Sequence, residues 1–268
     1  MKTPIPANVP TLGRHNPRLA ALREVVRHGR PGVALVDGRK LVLDLARAGV
    51  PPDLLLLTPA TLGVLEECPP LASLVAAGKV FAVAEEVMQR LAPSRHPQGV
   101  LGLFPVPRRA LPPHGVVVYL DRVQDPTNVG AIVRCAAALG ATGVACSPGC
   151  ADPFTPRAIR AAAGQTLLFP VATDADFAAL ASATRARTGQ TAALAGAGGI
   201  PLGSWRARLP LLLVLGNEGA GLDPLVARGC DVLLTIPLGN SVESLNVAVA
   251  AGITLAALAG LAPSPILE

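Results

Sequence analysis

Short aliphatic runs recur along the chain, separated by amphipathic or polar stretches of helical length. In the first hundred residues, Val33–Val36, Leu54–Leu57, Val80–Val83 and Val100–Phe104 predict strands. Arg39–Ala48, closed by Gly49, predicts a helix between them, as do Leu62–Glu67 and Glu85–Leu91, with a further turn at Leu71–Ala76. Upstream, Asn16 and Pro17 read as cap and first turn of an amphipathic helix carrying Leu19, Leu22, Val25 and Val26 and ending near Gly29. A second series begins at Gly115–Leu120, with strands expected at Thr142–Cys146, Leu167–Val171, Thr191–Ala195, Leu211–Leu215 and Val232–Pro237. Its expected helices include Val129–Leu139 and Phe177–Thr184. Such alternation predicts an α/β class: a small α/β unit over residues 16–104, then a mainly parallel-sheet unit over 115–268. The proline-rich stretch 105–114 reads as the connector, and residues 1–15 as a basic flexible arm.

The last predicted element is unusual. After the strand ending at Leu238 come a short polar loop and a helix of Ala, Val, Leu, Ile and Gly running to about Leu261. A helix apolar all round is normally buried, yet Glu243, Ser244 and Asn246 crowd its entrance. Free N–H groups and the positive dipole end gather there, which suits a ligand. Residues 244–262 approach membrane-spanning length, but Asn246, Thr254 and the lack of a basic flank favour a buried helix and no membrane partner.

Composition changes this picture in two places. Half of the chain is apolar, enough for a sizeable core. The formal charge of +5 sits in residues 1–30, where Lys2, Arg14, Arg18, Arg23, Arg27 and Arg30 face only Glu24. That pattern suggests a polyanion such as RNA or DNA, the alternative being a solvated tail and helix face. The five cysteines form no CxxC pair and only four histidines accompany them, so neither a metal site nor a disulfide framework is expected. Reduced thiols and a cytoplasmic location follow as the expectation, and the N-terminal stretch shows no apolar core of a signal peptide.

Candidate chemistry collects at three strand ends of the second half. The first loop, from Asp121 to Gly130, holds Asn128 and leads into a helix with Arg134. Six residues are nearly two turns, so both side chains can face one side if the helix begins near Asn128; alone, Asp125-Pro126-Thr127-Asn128 reads as a turn and helix cap before it reads as a site. The second, Leu215-Gly-Asn-Glu-Gly-Ala-Gly-Leu222, allows close backbone approach to a ligand but is neither a GxxxxGK nor a GxGxxG loop. The third is the entrance to the final helix.

Taken in order, Asp125-Pro-x-Asn-x-Gly-x-x-x-Arg134, Leu215-Gly-Asn-Glu-Gly-x-Gly-Leu222 and Ile236-Pro-Leu…Ser-Leu-Asn-Val-Ala-Val-Ala250 resemble the SpoU/TrmH family of RNA ribose 2′-O-methyltransferases over about residues 115–262. The first half, from Val36-Asp-Gly-Arg-Lys-Leu-Val42 to His96-Pro-Gln-Gly-Val-Leu-Gly102, is similar to that family's ribosomal-protein-like substrate-binding domain. The resemblance implies a C-terminal trefoil knot, a homodimer, an RNA substrate and S-adenosylmethionine as cofactor. Leu215, Gly216, Asn217, Ile236, Leu238, Ser244 and Leu245 match its cofactor contacts; Asn128, Arg134, Glu218, Ser244 and Asn246 match its catalytic and RNA-facing positions. The sequence departs from the pattern at Cys135, where threonine is frequent, and at Ala162, where serine is.

Arg134 stands in the base position, yet its guanidinium stays protonated up to about pH 12. The reading adopted is that Arg134 binds the substrate phosphate and polarises the hydroxyl. Asn128 and Glu218 would hold the arginine, and Ser244 and Asn246 would shape the methyl end. The accessory domain favours ribosomal RNA, with transfer RNA and a resistance site left open. The rivals are a non-catalytic RNA-binding or ribosome-assembly protein, and a nucleotide-dependent dehydrogenase disfavoured by the missing GxGxxG.

Overall fold

Strand periodicity decides the layering of the first unit. Our computed structural model describes residues 9–28, 30–239 and 242–260, which fall into two units: one of residues up to 107 with 154–168, the other of residues 108–153 with those from 169 on. In the first unit, α1 (Pro17–His28), β1 (Val33–Asp37), α2 (Arg39–Arg47), β2 (Leu54–Leu57), α3 (Val64–Glu67), α4 (Pro69–Ala76), β3 (Val80–Ala82), α5 (Glu85–Leu91) and β4 (Val100–Pro105) follow in order. The sheet runs β1-β4-β2-β3, antiparallel except for the β2–β3 pair. Alternation along β2 sends Leu55 and Leu57 into one core with Val42, Leu45 and Leu71, and Leu56 into another with Leu19, Leu22 and Met88.

Two features of this unit differ from the sequence reading. Residues 9–12 are no free arm: Thr11 bridges Ala82 in parallel, Leu12 N donates to Ala82 O at 2.8 Å, and Val9 and Leu12 are buried. Aliphatic side chains and an unpaired strand edge outweigh the neighbouring charge; residues 1–8 lie outside the described residues. The second difference is at Leu167–Val171, expected as a strand. Instead Gln165–Leu168 is helical, and only Val171–Ala172 is extended. Short apolar runs do not distinguish a strand from a buried helical turn; Leu167 fills the first unit's core beside Ile159. The side chain of Asp37, at the end of β1, accepts from Ser94 and from Arg160 Nη2 at 3.5 Å, tying residues 154–168 to this unit.

The second unit contains β5 (Val116–Leu120), α6 (Pro126–Ala138) and β6 (Gly143–Cys146), after which the chain gives α7 (Pro156–Ala161) and α8 (Gln165–Leu168) to the first unit. It resumes with β7 (Val171–Ala172), α9 (Phe177–Arg185), β8 (Gln190–Leu194), β9 (Ile200–Pro201), β10 (Leu211–Leu215), α10 (Pro224–Arg228), β11 (Val232–Thr235) and α11 (Val247–Leu258). All pairings of its seven strands, in the order β7-β6-β5-β10-β8-β11-β9, are parallel. The expected class, mixed α/β with a mostly parallel sheet, is the one observed.

Strand β11 lies three places from β5, yet α11 packs on α6, the helix that follows β5. The chain after β11 therefore returns across the ends of β8 and β10. Composition predicted that helix α11 is buried all round, and the structure corrects this. Val247, Ala251 and Leu255 are buried, while Val249 and Ile253, one turn apart, are 51% and 40% exposed. No helix of the described residues is long and apolar enough to cross a membrane.

Candidate active site

The parallel register brings the ends of β5, β8, β10 and β11 to one edge of the sheet. Asp121, the first residue beyond β5, is 3% exposed; its N–H donates to Leu215 O at 2.8 Å and its carboxylate accepts from Asp223 N at 2.6 Å. Arg122 follows with a left-handed φ of 56° and donates to the Asp121 carboxylate through Nε at 3.1 Å and Nη2 at 3.3 Å. That turn exposes the Arg122 carbonyl to Asn217 Nδ2 at 2.7 Å, so the β5 and β10 loops are fastened together.

The β10 loop is closed on itself. Asn217 and Gly221 exchange backbone hydrogen bonds of 2.9 and 3.1 Å, and Asn217 Oδ1 accepts from Gly219 N and Ala220 N. A Cβ on Gly216 would stand 2.7 Å from both Gly221 C and Leu222 N, so glycine there is a steric requirement. Next in sequence, Glu218 points at the start of α6. Its carboxylate accepts from Gln124 N and Asp125 N at 3.2 Å and from Asn128 Nδ2 at 2.9 Å. Burial pushes this carboxyl up, but the bonds from Asn128 and the backbone outweigh it and hold Glu218 below its ordinary value. Glu218 is therefore ionised at neutral pH and accepts three hydrogen bonds.

Helix α6 starts at Pro126 because Asp125 caps it, accepting from Thr127 N at 2.8 Å. Asn128, in its first turn, has both ends engaged: its Oδ1 accepts from Asn246 Nδ2 at 3.0 Å. Asn246 in turn caps α11, its Oδ1 accepting from Ala248 N and Val249 N. Two of the N–H groups that the sequence reading left for a ligand are thus taken by the cap. A chain of side chains, Asn246–Asn128–Glu218, joins all three motif segments.

A cleft of about 610 Å³ opens beside this chain. Its walls include Leu215, Gly216, Asn217, Glu218, Ile236, Leu238, Ser244, Leu245 and Asn246. Asn128 reaches the cleft through its bonds to Glu218 and Asn246. Arg134 is placed differently. Six residues turn an α-helix by about 600°, which leaves Arg134 roughly 120° away from Asn128 rather than on its face. Its side chain is exposed, does not line the cleft and has no hydrogen-bond or ion-pair partner among the described residues. The expectation that Asn128 and Glu218 hold it is not met within one chain.

The sequence reading missed Asp121, Arg122 and the β8 end, where Leu194, Ala195 and Gly196 complete the cleft wall. Glycines at 196, 198 and 199 just after an apolar run were the available signal, the same signal used for Gly216. A larger cleft of about 940 Å³ lies against α9 and α10, but its two arginines, Arg122 and Arg185, are already paired with Asp121 and Asp231. All five cysteines are free, and no cluster of three or more metal-ligating side chains occurs among the described residues.

Comparisons with known proteins bear on this site. Residues 115–256 match the model of the SpoU rRNA Methylase family. An uncharacterized tRNA/rRNA methyltransferase of Mycobacterium bovis is 34% identical over 84% of this chain and 73% of its own length. Another, from Synechocystis, is 33% identical over 65% of each protein, so this chain spans just under two thirds of that relative. Among solved structures, an AdoMet-bound rRNA methyltransferase from Sinorhizobium meliloti superposes with a TM-score of 0.78 at 29% identity, covering 93% of this chain and 97% of that one. A TrmH-family RNA methyltransferase from Porphyromonas gingivalis, described there as putative, gives 0.78 at 27% identity, over 92% and 97%. The three converging loops and these likenesses lead to one assignment: the chain belongs to the SpoU rRNA methylase family.

Proposed function

We propose that this protein methylates the 2′-hydroxyl of a ribose in a structured ribosomal RNA, with S-adenosylmethionine as methyl donor. The observation that carries the reading is the Asn246–Asn128–Glu218 chain, which fixes polar groups from three distant segments at one edge of an otherwise apolar cleft. The cleft fits the donor. Its volume is within the usual range for such ligands, of order 300–1,000 Å³. Leu215, Ile236, Leu238 and Leu245 offer an apolar wall for a purine, Gly216 and Asn217 offer backbone groups, and Glu218 and Ser244 form the polar end. When bound, S-adenosylmethionine supplies an electrophilic methyl on a sulfonium.

The chain's own groups have separate tasks in this reading. Glu218 and Asn246 are positioning residues acting through Asn128. With three hydrogen bonds on its carboxylate and its pKa lowered, Glu218 is a poor proton acceptor, so the hydroxyl proton passes to the substrate phosphate or to water. Arg134, exposed on α6 and outside its own chain's cleft, pairs with that phosphate and polarises the hydroxyl at the cleft of a second copy of the chain. Two further features belong to the proposal. The apolar, exposed Val249 and Ile253 on α11 support a homodimer. The return of the chain from β11 to α6 across two strands supports the trefoil knot.

The test is methyl transfer to ribosomal RNA at saturating cofactor by Arg134→Ala and Arg134→Lys. Losses on the order of a hundredfold are expected for the alanine variant, and near-normal turnover in both would remove Arg134 from the mechanism. Alkaline hydrolysis of the product decides the position, because a 2′-O-methyl blocks cleavage of the adjoining phosphodiester and a base methyl does not.

A further inference from the structure

The described residues hold a further concave site, in the first unit, lined by none of the motif residues. Arg14, His15, Arg23, Val26 and Arg90 line a pocket of about 550 Å³. Arg14 and His15 precede α1, Arg23 is on α1, and Arg90 is in the last turn of α5. The two helices are seated on a common core in which Leu19 and Leu22 of α1 meet Val87, Met88 and Leu91 of α5. The arginines therefore project from a packed platform.

Their polar contacts are unusual for surface arginines. Arg14 Nε donates to His15 Nε2 at 2.9 Å, and Arg23 Nη2 donates to the Arg14 carbonyl at 3.2 Å. Arg90 has no partner, and no carboxylate pairs with any of the three among the described residues. By contrast Arg39 pairs with Glu67, Arg160 with Asp37 and Arg185 with Asp231. Neighbouring Arg18 is engaged over the Phe81 ring at 4.8 Å. A concave wall of one sign of charge focuses potential and draws in a counter-charge. Guanidinium groups present only donors, in a planar fork that fits phosphate, so this wall suits a ligand rich in anionic acceptor oxygens.

We propose that this pocket binds the sugar–phosphate backbone of single-stranded RNA, gripping consecutive phosphates. The inference rests on the RNA-methyltransferase reading and adds to it a binding site far along the chain from the methyl-transfer motifs. A loop or bulge in a folded RNA presents such a strand.

The experiment measures affinity for a mixed-sequence single-stranded oligoribonucleotide by fluorescence anisotropy across a salt series, beside S-adenosylmethionine affinity by calorimetry. The triple variant Arg14→Gln, Arg23→Gln, Arg90→Gln should bind RNA about tenfold or more weakly. The magnitude of its log–log salt slope should fall by roughly 2, since each phosphate contact contributes about 0.7. Cofactor affinity should not change, and the corresponding triple lysine variant should keep the slope. If the triple variant folds poorly, Arg90→Gln alone, whose side chain holds nothing in place, should lower the slope by about 0.7. RNA binding by the wild type with an unchanged slope in these variants overturns the pocket assignment and leaves the methyltransferase reading standing. A wild type that binds cofactor but no RNA at all overturns the RNA reading and the pocket with it.

Discussion

Replacing Gly216 by alanine tests the packing of the β10 loop and its link to the cofactor together. The backbone at Gly216 is not in the left-handed region, so alanine meets no conformational penalty there and the whole effect is steric. Its Cβ would lie 2.7 Å from Gly221 C and Leu222 N and 2.9 Å from Gly221 O, all backbone atoms that no rotamer change can move. Ordinary contact lies near 3.4 Å and beyond, so the far side of the loop must retreat by several tenths of an ångström. Against that retreat stand the paired Asn217–Gly221 bonds and the Asn217 Nδ2 bond to Arg122 O. Overpacking of this kind costs about 1–3 kcal/mol. Since the moving atoms line the cleft, S-adenosylmethionine affinity should fall at least tenfold, which corresponds to about 1.4 kcal/mol. Calorimetric titration and thermal melting measure the two effects. Gly219→Ala is the control, because an added Cβ there approaches only Asn217 Oδ1, at 3.7 Å. A Gly216→Ala protein that melts like wild type and binds cofactor within about twofold of it would refute the steric reasoning. Equal damage from Gly219→Ala would show that the loop tolerates no change, whatever the contact.

Two further outcomes follow from the same coordinates. Completing the burial of Val249 and Ile253 in a partner would contribute roughly 1 kcal/mol each, so on the homodimer reading the wild type should sediment as a dimer and Ile253→Glu as a monomer; equal mass for both would remove α11 from the interface. Glu218 has a lowered folded-state pKa, so its stabilising effect is fully present above its ordinary value of 4.5 and is lost as pH falls through the lower folded value. The gap in melting temperature between wild type and Glu218→Gln should therefore be constant above about pH 5 and shrink on further acidification; a gap that widened instead would contradict the bonding described for that carboxylate.

Much of the second sheet was legible because parallel strands buried on both faces read as near-continuous apolar runs, as in Leu211–Leu215 and Val116–Leu120. The loops at their ends could be read from polar and glycine residues following such runs. Asn128, Glu218 and Asn246 lie far apart in the chain, and their mutual bonding depends on strand order, which periodicity does not encode. Asp121 stayed hidden for a related reason: a lone carboxylate after a strand looks solvated until the Asp223 N–H and Arg122 are seen to close over it. Arg134 was misplaced by treating six residues as two whole turns, an error of about 120° that only matters when a face must be chosen. At Leu167 hydrophobicity was read correctly as burial, but the burial is in the core of the other unit and in a helical turn.

That excursion of the chain has a consequence for any attempt to divide the molecule. Ile159 and Leu167, encoded within the methyltransferase half, are fully buried among side chains of the other half. A scissor cut at the proline-rich stretch would deprive one fragment of two core side chains and oblige the other to carry them bare. The halves defined by gene position and those defined by folding are not the same objects, and a recombinant shuffled at the linker would need its segment 154–168 to match the incoming partner.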